Sequence, residues 1–365
     1  MKPKKILLLS DFAFPVAAGT ERLVFGIANW FTNNYDIKTD ILCPDWNNRG
    51  NFEESNGVKI HRFKTHSIYR ANPIKRTFDF VMHATALGKY DVYAGFYTMP
   101  PLVSAVIASK IKGTSSSATF FGREQLEKNF RNPIKKALLI STFQQADIMT
   151  SYTWNLKDYL SKIFPGKKIL VTPGFSEQRF STSRQVKGKD KTVLFVGRMN
   201  EEKGIFVLLE AFAKIYKKTN AKLVLAGAPY EQELVEKKIV DLGISDSVKV
   251  LGFVSDKKLN ELYNSAFVVA VPSLFQDSFG LSLMEAISCQ KPVVSTDSIG
   301  IPGISGELIV KKNDPNELAV VLEKLLLDKK FYATAKNTAK EMSTYFLKEK
   351  VMESYLEAYS LACRF

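Results

Sequence analysis

Short apolar runs of strand length alternate with longer amphipathic segments along all 365 residues, in two series divided by a polar stretch. That alternation demands a doubly wound α/β architecture, because each buried parallel strand needs a crossover helix to cover one face of the sheet. The first series reads Ile6–Ser10, a helix from about Thr20 to Phe31, Ile37–Leu42, Val58–Phe63, a helix near Ile74–Leu87, Val92–Phe96, a helix near Leu102–Lys110 and Ala118–Phe121. It continues with a helix around Pro133–Gln145, Ile148–Ser151, a helix near Leu156–Phe164 and Ile169–Thr172. The polar residues from Ser181 to Lys191 have little to bury and make the best linker. Beyond them come Thr192–Val196, helix Ile205–Tyr216, Leu223–Ala226, helix Glu231–Leu242, Val248–Leu251, helix Lys257–Ser265, Phe267–Val271, a further helix, Val293–Thr296 and helix Pro315–Leu327. Residues 331–365 read as largely helical, with Val351, Tyr355, Leu356 and Tyr359 on one apolar side. Two Rossmann-like domains follow, one over residues 1–180 and one over 190–349.

Composition narrows the class. Hydrophobic residues make up 45% and charged residues 24%, as in a water-soluble globular protein. The longest apolar runs, such as Phe267 to Pro272, fall far short of a membrane span. Lys2, Lys4 and Lys5 before Ile6–Leu9 mimic a signal peptide, but Ser10 and Asp11 cut the run short, so a first buried strand fits better. Three scattered cysteines, Cys43, Cys289 and Cys363, form neither a disulfide framework nor a metal knuckle, and a cytoplasmic location is expected. The histidines, His61, His66 and His83, lack the spacing of a zinc-binding helix.

The charge is uneven. Residues 1–185 hold 26 Lys and Arg against 14 Asp and Glu, and the remainder hold 25 against 23. Nearly all of the net +14 therefore sits in the first half, which implies an anionic partner there. Two groups interleave cations with aromatic residues: Arg62, Lys64, Arg70, Lys75 and Arg76 with Phe63, Tyr69, Phe78 and Phe80, and Lys128, Arg131, Lys135 and Lys136 with Phe130. Such mixtures suit an anionic membrane surface. They suit nucleic acid too, but no binding module accompanies them, so a peripheral position on the cytoplasmic membrane face is the expectation. A solvated basic surface stays open beside it.

The residues that carry chemistry concentrate between Pro272 and Pro292. Leu281, Met284 and Ile287 recur at helical spacing after Gly280, so a helix begins there and its N-terminal N–H groups suit a phosphate. Asp277 before the helix and Glu285 within it supply acceptors for hydroxyls. This segment, with Ser273 after a strand, Phe279-Gly280, Glu285-Ala286 and Pro292-Val293-Val294, resembles the Glu-x7-Glu signature of retaining glycosyltransferases of the GT-B fold, in particular glycosyltransferase family four. Asp277 stands where the family has its first Glu.

The resemblance implies two Rossmann-like domains facing each other across a cleft, with a last helix of about 350–365 packing back on the first domain. It implies a nucleotide-sugar donor held by the second domain, no metal and no other cofactor. Val196-Gly197-Arg198-Met199-Asn200-Glu201-Glu202-Lys203-Gly204 follows the second domain's first strand, and Arg198 and Lys203 inherit the role of neutralising the leaving diphosphate. Standing alone, that loop would read as two solvated cations at a helix start. Glu285 falls to the ribose hydroxyls and Asp277, one methylene short, to the transferred sugar. Backbone N–H groups of Phe279, Gly280, Leu281 and Ser282 would serve the sugar and diphosphate, and Gly252-Phe253 aligns with the base-contacting segment. No Asp-x-Asp occurs anywhere, so nothing resembles the metal-diphosphate grip of the other main transferase fold.

The chain departs from the family at four points. Ala18-Gly19 replaces Gly-Gly in the first strand-helix loop, although Gly19 still permits close approach to a donor, and a bland turn competes with this reading. Phe120-Phe121-Gly122 places Phe121 where relatives have His, and Phe121, Gly122, Arg123 and Glu124 are the acceptor-side candidates. Gly303, rather than Glu, follows Gly300-Ile301-Pro302. With the Asp277 change, these substitutions bear on donor and acceptor choice.

The function expected is retaining transfer of a hexose from a UDP- or GDP-sugar to a glycan or lipid-linked acceptor, in cell-surface polysaccharide or glycolipid synthesis. A sugar-nucleotide epimerase of similar architecture, and a non-catalytic membrane- or nucleic-acid-binding relative, are the alternatives.

Overall fold

Ile6, Leu7, Leu8 and Leu9 are buried at the centre of the first sheet, which is why the opening lysines lead into a strand. The computed structural model describes residues 1–11, 19–46, 48–64, 72–175, 180–182, 191–274, 280–298 and 306–363. The chain divides into two units, Met1–Gly174 with Val351–Phe365, and Phe175–Lys350.

The first unit runs β1 (Lys5–Leu9), α1 (Gly19–Asn34), β2 (Lys38–Pro44), β3 (Phe52–Ser55), β4 (Val58–Phe63), α2 (Pro73–Ala86), β5 (Val92–Phe96), α3 (Met99–Lys112), β6 (Ser115–Phe120), α4 (Glu124–Phe130), α5 (Pro133–Gln144), β7 (Ile148–Ser151), α6 (Trp154–Ile163) and β8 (Ile169–Val171). Its strands order as β3-β4-β2-β1-β5-β6-β7-β8. All neighbours are parallel except β3 and β4. Order reverses at β1, so the crevice lies beyond the C-terminal ends of β1 and β5.

The second unit runs β9 (Thr192–Val196), α7 (Ile205–Thr219), β10 (Lys222–Ala226), α8 (Gln232–Asp241), β11 (Val248–Gly252), α9 (Asp256–Ser265), β12 (Val268–Val271), α10 (Leu281–Ser288), β13 (Val293–Thr296), β14 (Ile309–Val310), α11 (Pro315–Leu327) and α12 (Lys329–Ser343). Its sheet is wholly parallel, in the order β11-β10-β9-β12-β13-β14. The reversal falls between β9 and β12. Helix α7 buries Ile205, Leu208, Leu209, Phe212 and Ile215 against this sheet, the apolar face that the 3.6-residue period requires.

Four elements differ from the sequence reading. Strand β3 pairs antiparallel with β4 through Asn56-Gly57, both at positive φ (53° and 78°), a dipeptide that favours tight hairpins. Helix α4 and the two-residue β14 were not anticipated. The last helical stretch breaks in two: α12 ends at Ser343, Phe346 is buried at the turn, and α13 (Lys348–Ala362) follows. Helix α13 packs within the first unit, where the Tyr355 hydroxyl donates to the Thr172 carbonyl at 3.2 Å. Tyr359 meets Phe31 edge-on at 5.9 Å.

The first cation-aromatic group is not a surface patch. Arg62, Phe63 and Phe80 are buried; Arg62 pairs with Glu53 at 2.6 Å, and Arg76 turns to Asp11 at 3.3 Å. Arg62 continues the buried alternation of Val58 and Ile60 in β4, Phe63 is buried at the strand end on the opposite face, and Phe80 lies on the buried side of α2. Phe78, Lys64 and Lys75 are exposed, whereas Tyr69 and Arg70 lie outside the described residues. In the second group Lys128, Arg131, Lys135 and Lys136 are exposed and Phe130 is half-buried. No described helix is long and apolar enough to cross a membrane.

Candidate active site

The strand-order reversal in the second unit leaves a pocket of about 270 Å³ beyond the ends of β9 and β12, the place where open α/β sheets bind ligands. Phe195, Val196 and Gly197 form one wall and Val271 and Ser273 another. Lys203 enters from the loop after β9, and Gly280, Leu281, Ser282 and Glu285 close the pocket from α10.

Two loops are clasped together to make it. The Leu274 N–H donates to the Glu202 carbonyl at 2.9 Å. Thr296 and Ser298 hydroxyls donate to the Ser273 carbonyl at 2.6 and 3.0 Å. Gly204 sits at φ +70°, and a Cβ there would lie 1.8 Å from the Pro272 carbonyl oxygen. A Cβ on Gly227, at φ +140°, would lie 1.9 Å from the Gly197 carbonyl oxygen. These glycines are therefore dictated by close backbone approach and by conformation.

The two expected cations part company. Lys203 lines the pocket, whereas Arg198 is outside the lining set. Its guanidinium pairs with Glu202 at 3.2 Å and lies over the Tyr230 ring at 5.7 Å. That ion pair is about half exposed, so solvent screens it and its net worth is small.

Helix α10 begins after Gly280, which adopts φ 54°. Leu283 and Met284 N–H groups donate to the Gly280 carbonyl at 2.9 and 3.2 Å, whereas those of Leu281 and Ser282 precede the first possible acceptor inside the helix and present positive potential to the pocket. One turn further, Glu285 accepts a 2.8 Å hydrogen bond from the Tyr263 hydroxyl. Tyr263 is buried, with Phe180 edge-on at 5.8 Å. Burial first, and the neighbouring carboxylate second, push its phenol well above the usual tyrosine range, so it is a fixed donor at neutral pH. Nothing in the sequence marked Tyr263, because a buried tyrosine at helical spacing reads as core.

Six of the expected donor-site residues thus meet in one pocket: Gly197, Lys203, Gly280, Leu281, Ser282 and Glu285. Gly252 and Phe253 do not line it; Gly252 accepts from the Gly227 N–H at 2.8 Å, and Phe253 is largely exposed. Asp277, Phe279, Ala18 and Gly303 lie outside the described residues.

In the first unit, Gly19 opens α1. Phe121 is buried in an aromatic group, with Tyr152 at 4.6 Å and Tyr97 at 5.7 Å. Arg123 lies over the Tyr159 ring at 4.8 Å, Gly122 is half-buried, and Glu124 is exposed at the start of α4. Phe121 is therefore a packing residue here. The crevice of this sheet also holds a cluster that sequence reasoning missed: Asp11 is buried, receives the Thr98 hydroxyl and pairs with Arg76. Burial raises the Asp11 carboxyl above its ordinary range even though Arg76 and Thr98 oppose the rise. Its sequence signal was faint, a single acid after the first strand.

Residues 176–342 match the family described as glycosyl transferases group 1. An uncharacterized glycosyltransferase of Methanocaldococcus jannaschii is 29% identical over 322 residues, covering 80% of this chain and 81% of that protein. The D-inositol 3-phosphate glycosyltransferase of Corynebacterium jeikeium is 36% identical over 173 residues, 43% of this chain and 41% of that protein, so the chain matches less than half of that relative's length. Among solved structures, Anabaena HepE in complex with UDP and glucose superposes with a TM-score of 0.71 at 20% identity, covering 98% of this chain and 99% of the other.

Proposed function

We propose, from the premise that the chain is a glycosyltransferase of the GT-B fold, that the pocket of the second unit holds a UDP- or GDP-sugar whose sugar passes to a glycan or lipid-linked acceptor with retained configuration. The observation that carries this reading is the convergence of Lys203, the α10 N-terminus and Glu285 on one 270 Å³ pocket. A cation and a helix N-terminus are what a diphosphate needs, and a carboxylate is what sugar or ribose hydroxyls need.

Each group has a distinct task. The N–H groups of Leu281 and Ser282 hold the diphosphate, and the Lys203 ammonium stabilises the negative charge that grows on it as the glycosidic bond breaks. Glu285, held by Tyr263, accepts from hydroxyls of the donor. The bond from the anomeric carbon to the phosphate oxygen breaks with its electron pair leaving on the diphosphate. The acceptor oxygen attacks from the same face, and its proton passes to a phosphate oxygen. This route needs no side-chain base. In this reading the positive charge that a metal would otherwise supply comes from Lys203 and the helix start.

Proton NMR of the product formed from a UDP- or GDP-hexose, with chelator present, tests the reading. Retention of the α configuration with undiminished rate in chelator is expected. An inverted product would contradict the retaining mechanism, and loss of activity restored by a divalent cation would contradict metal independence.

A further inference from the structure

From Arg131 to Leu138 every residue is exposed, so the first half of α5 is covered on no side. Helices of globular proteins bury an apolar stripe; here Ile134 and Leu138, one turn apart, face solvent instead. Helix α3 packs against both α5 and α2, and right-handed crossovers place the three on one side of the sheet. On α2, Ile74, Phe78 and Met82 recur at four-residue steps, and α3 adds Ile111. These six side chains are between 52% and 78% exposed. Scattered exposed apolar residues need no explanation, but stripes on three adjoining helices mark an interaction face.

The charges on the same helices select the partner. Helices α2, α3 and α5 carry five lysines against the single acid Asp79, a sixth cation, Arg76, being turned inward to Asp11. The segment 128–146 holds four cations and no acid. Apolar side chains flanked by lysines match the boundary between acyl chains and anionic headgroups. A second copy of this face would oppose like charges, and a nucleic-acid backbone offers nothing to the isoleucines.

We propose that the outer face of α2, α3 and α5 docks on a bilayer containing anionic phospholipid, with Ile134 and Leu138 entering the headgroup boundary and Lys135 and Lys136 reaching lipid phosphates. This goes beyond the donor reading, since it concerns the other unit and stands whichever sugar is transferred.

Flotation of the full chain with phosphatidylcholine vesicles, with and without phosphatidylglycerol, tests it. Binding to the anionic vesicles, weakened by salt, is expected. Ile134→Ser with Leu138→Ser, and separately Lys135→Glu with Lys136→Glu, should each lower the bound fraction by about tenfold or more. All four side chains are exposed, so melting temperature and nucleotide binding should stay unchanged, which separates this face from the donor pocket. The proposal is overturned by absence of binding to anionic vesicles, by binding that both double variants retain, or by sedimentation showing a dimer that the same substitutions dissociate.

Discussion

The hydroxyl of Tyr263 and the carboxylate of Glu285 are joined by a 2.8 Å hydrogen bond between α9 and α10. Glu285 reaches the pocket and Tyr263 does not, so the tyrosine acts by holding the carboxylate in one orientation. Hydrogen bonds to charged groups contribute about 1.5–3 kcal/mol. Tyr263→Phe should therefore raise the donor KM by roughly tenfold and change kcat less. Steady-state kinetics check this. If Glu285 grips ribose, a 2′-deoxy donor should bind wild type more weakly than the parent donor does, and the variant should show a smaller difference between the two.

Lys203 and Arg198 give an internal contrast. Lys203 lines the pocket, whereas Arg198 is paired with Glu202 at its side. Lys203→Ala should lower kcat by about a hundredfold or more, the cost typical of removing one electrostatic donor. Arg198→Ala should cost less. Turnover of both variants with a saturating donor decides between them.

Gly204 cannot carry a side chain without moving Pro272. The positive φ and the 1.8 Å approach to its carbonyl oxygen mean that Gly204→Ala should destabilise the protein by about 2 kcal/mol or more. Thermal unfolding reports this directly. Nucleotide affinity should fall with it, because the same contact clasps the loops that bear Lys203 and Ser273.

Buried thiols should be silent. Burial pushes both Cys43 and Cys289 up to about 12, so at pH 8 the thiolate fraction of each is on the order of one part in ten thousand. Native protein should therefore react with a thiol reagent chiefly at Cys363, which is half-buried. All three should react after denaturation. Rapid labelling of Cys289 in the folded chain would contradict the packing described for α9 and α10.

Most of the architecture was legible because its strands are buried on both faces and its helices on one. Val58–Phe63, Val92–Phe96, Ile148–Ser151 and Thr192–Val196 were read to the residue. Helix α11 was read to the residue as well; its first residue is Pro315, where proline suits a helix start, and Asp314 caps it. What escaped were short elements: the edge strand β3, although Asn56-Gly57 signalled its turn, the helix α4 and the two-residue β14. The pocket was legible as a set of residue types on two loops. Tyr263 was not, because its hydroxyl meets Glu285 only once α9 and α10 have packed. The cation-aromatic surface failed at Arg62, Phe63 and Phe80 for a related reason, since sequence adjacency could not show which side of β4 and α2 faced the core.

Titration calorimetry of UDP and GDP into wild type, Lys203→Ala and Glu285→Ala tests the central claim most directly. At least one nucleotide should bind at a single site, with each substitution weakening it by about tenfold or more. Failure of both nucleotides to bind wild type, or affinity that neither substitution changes, would contradict the assignment of this pocket to the donor.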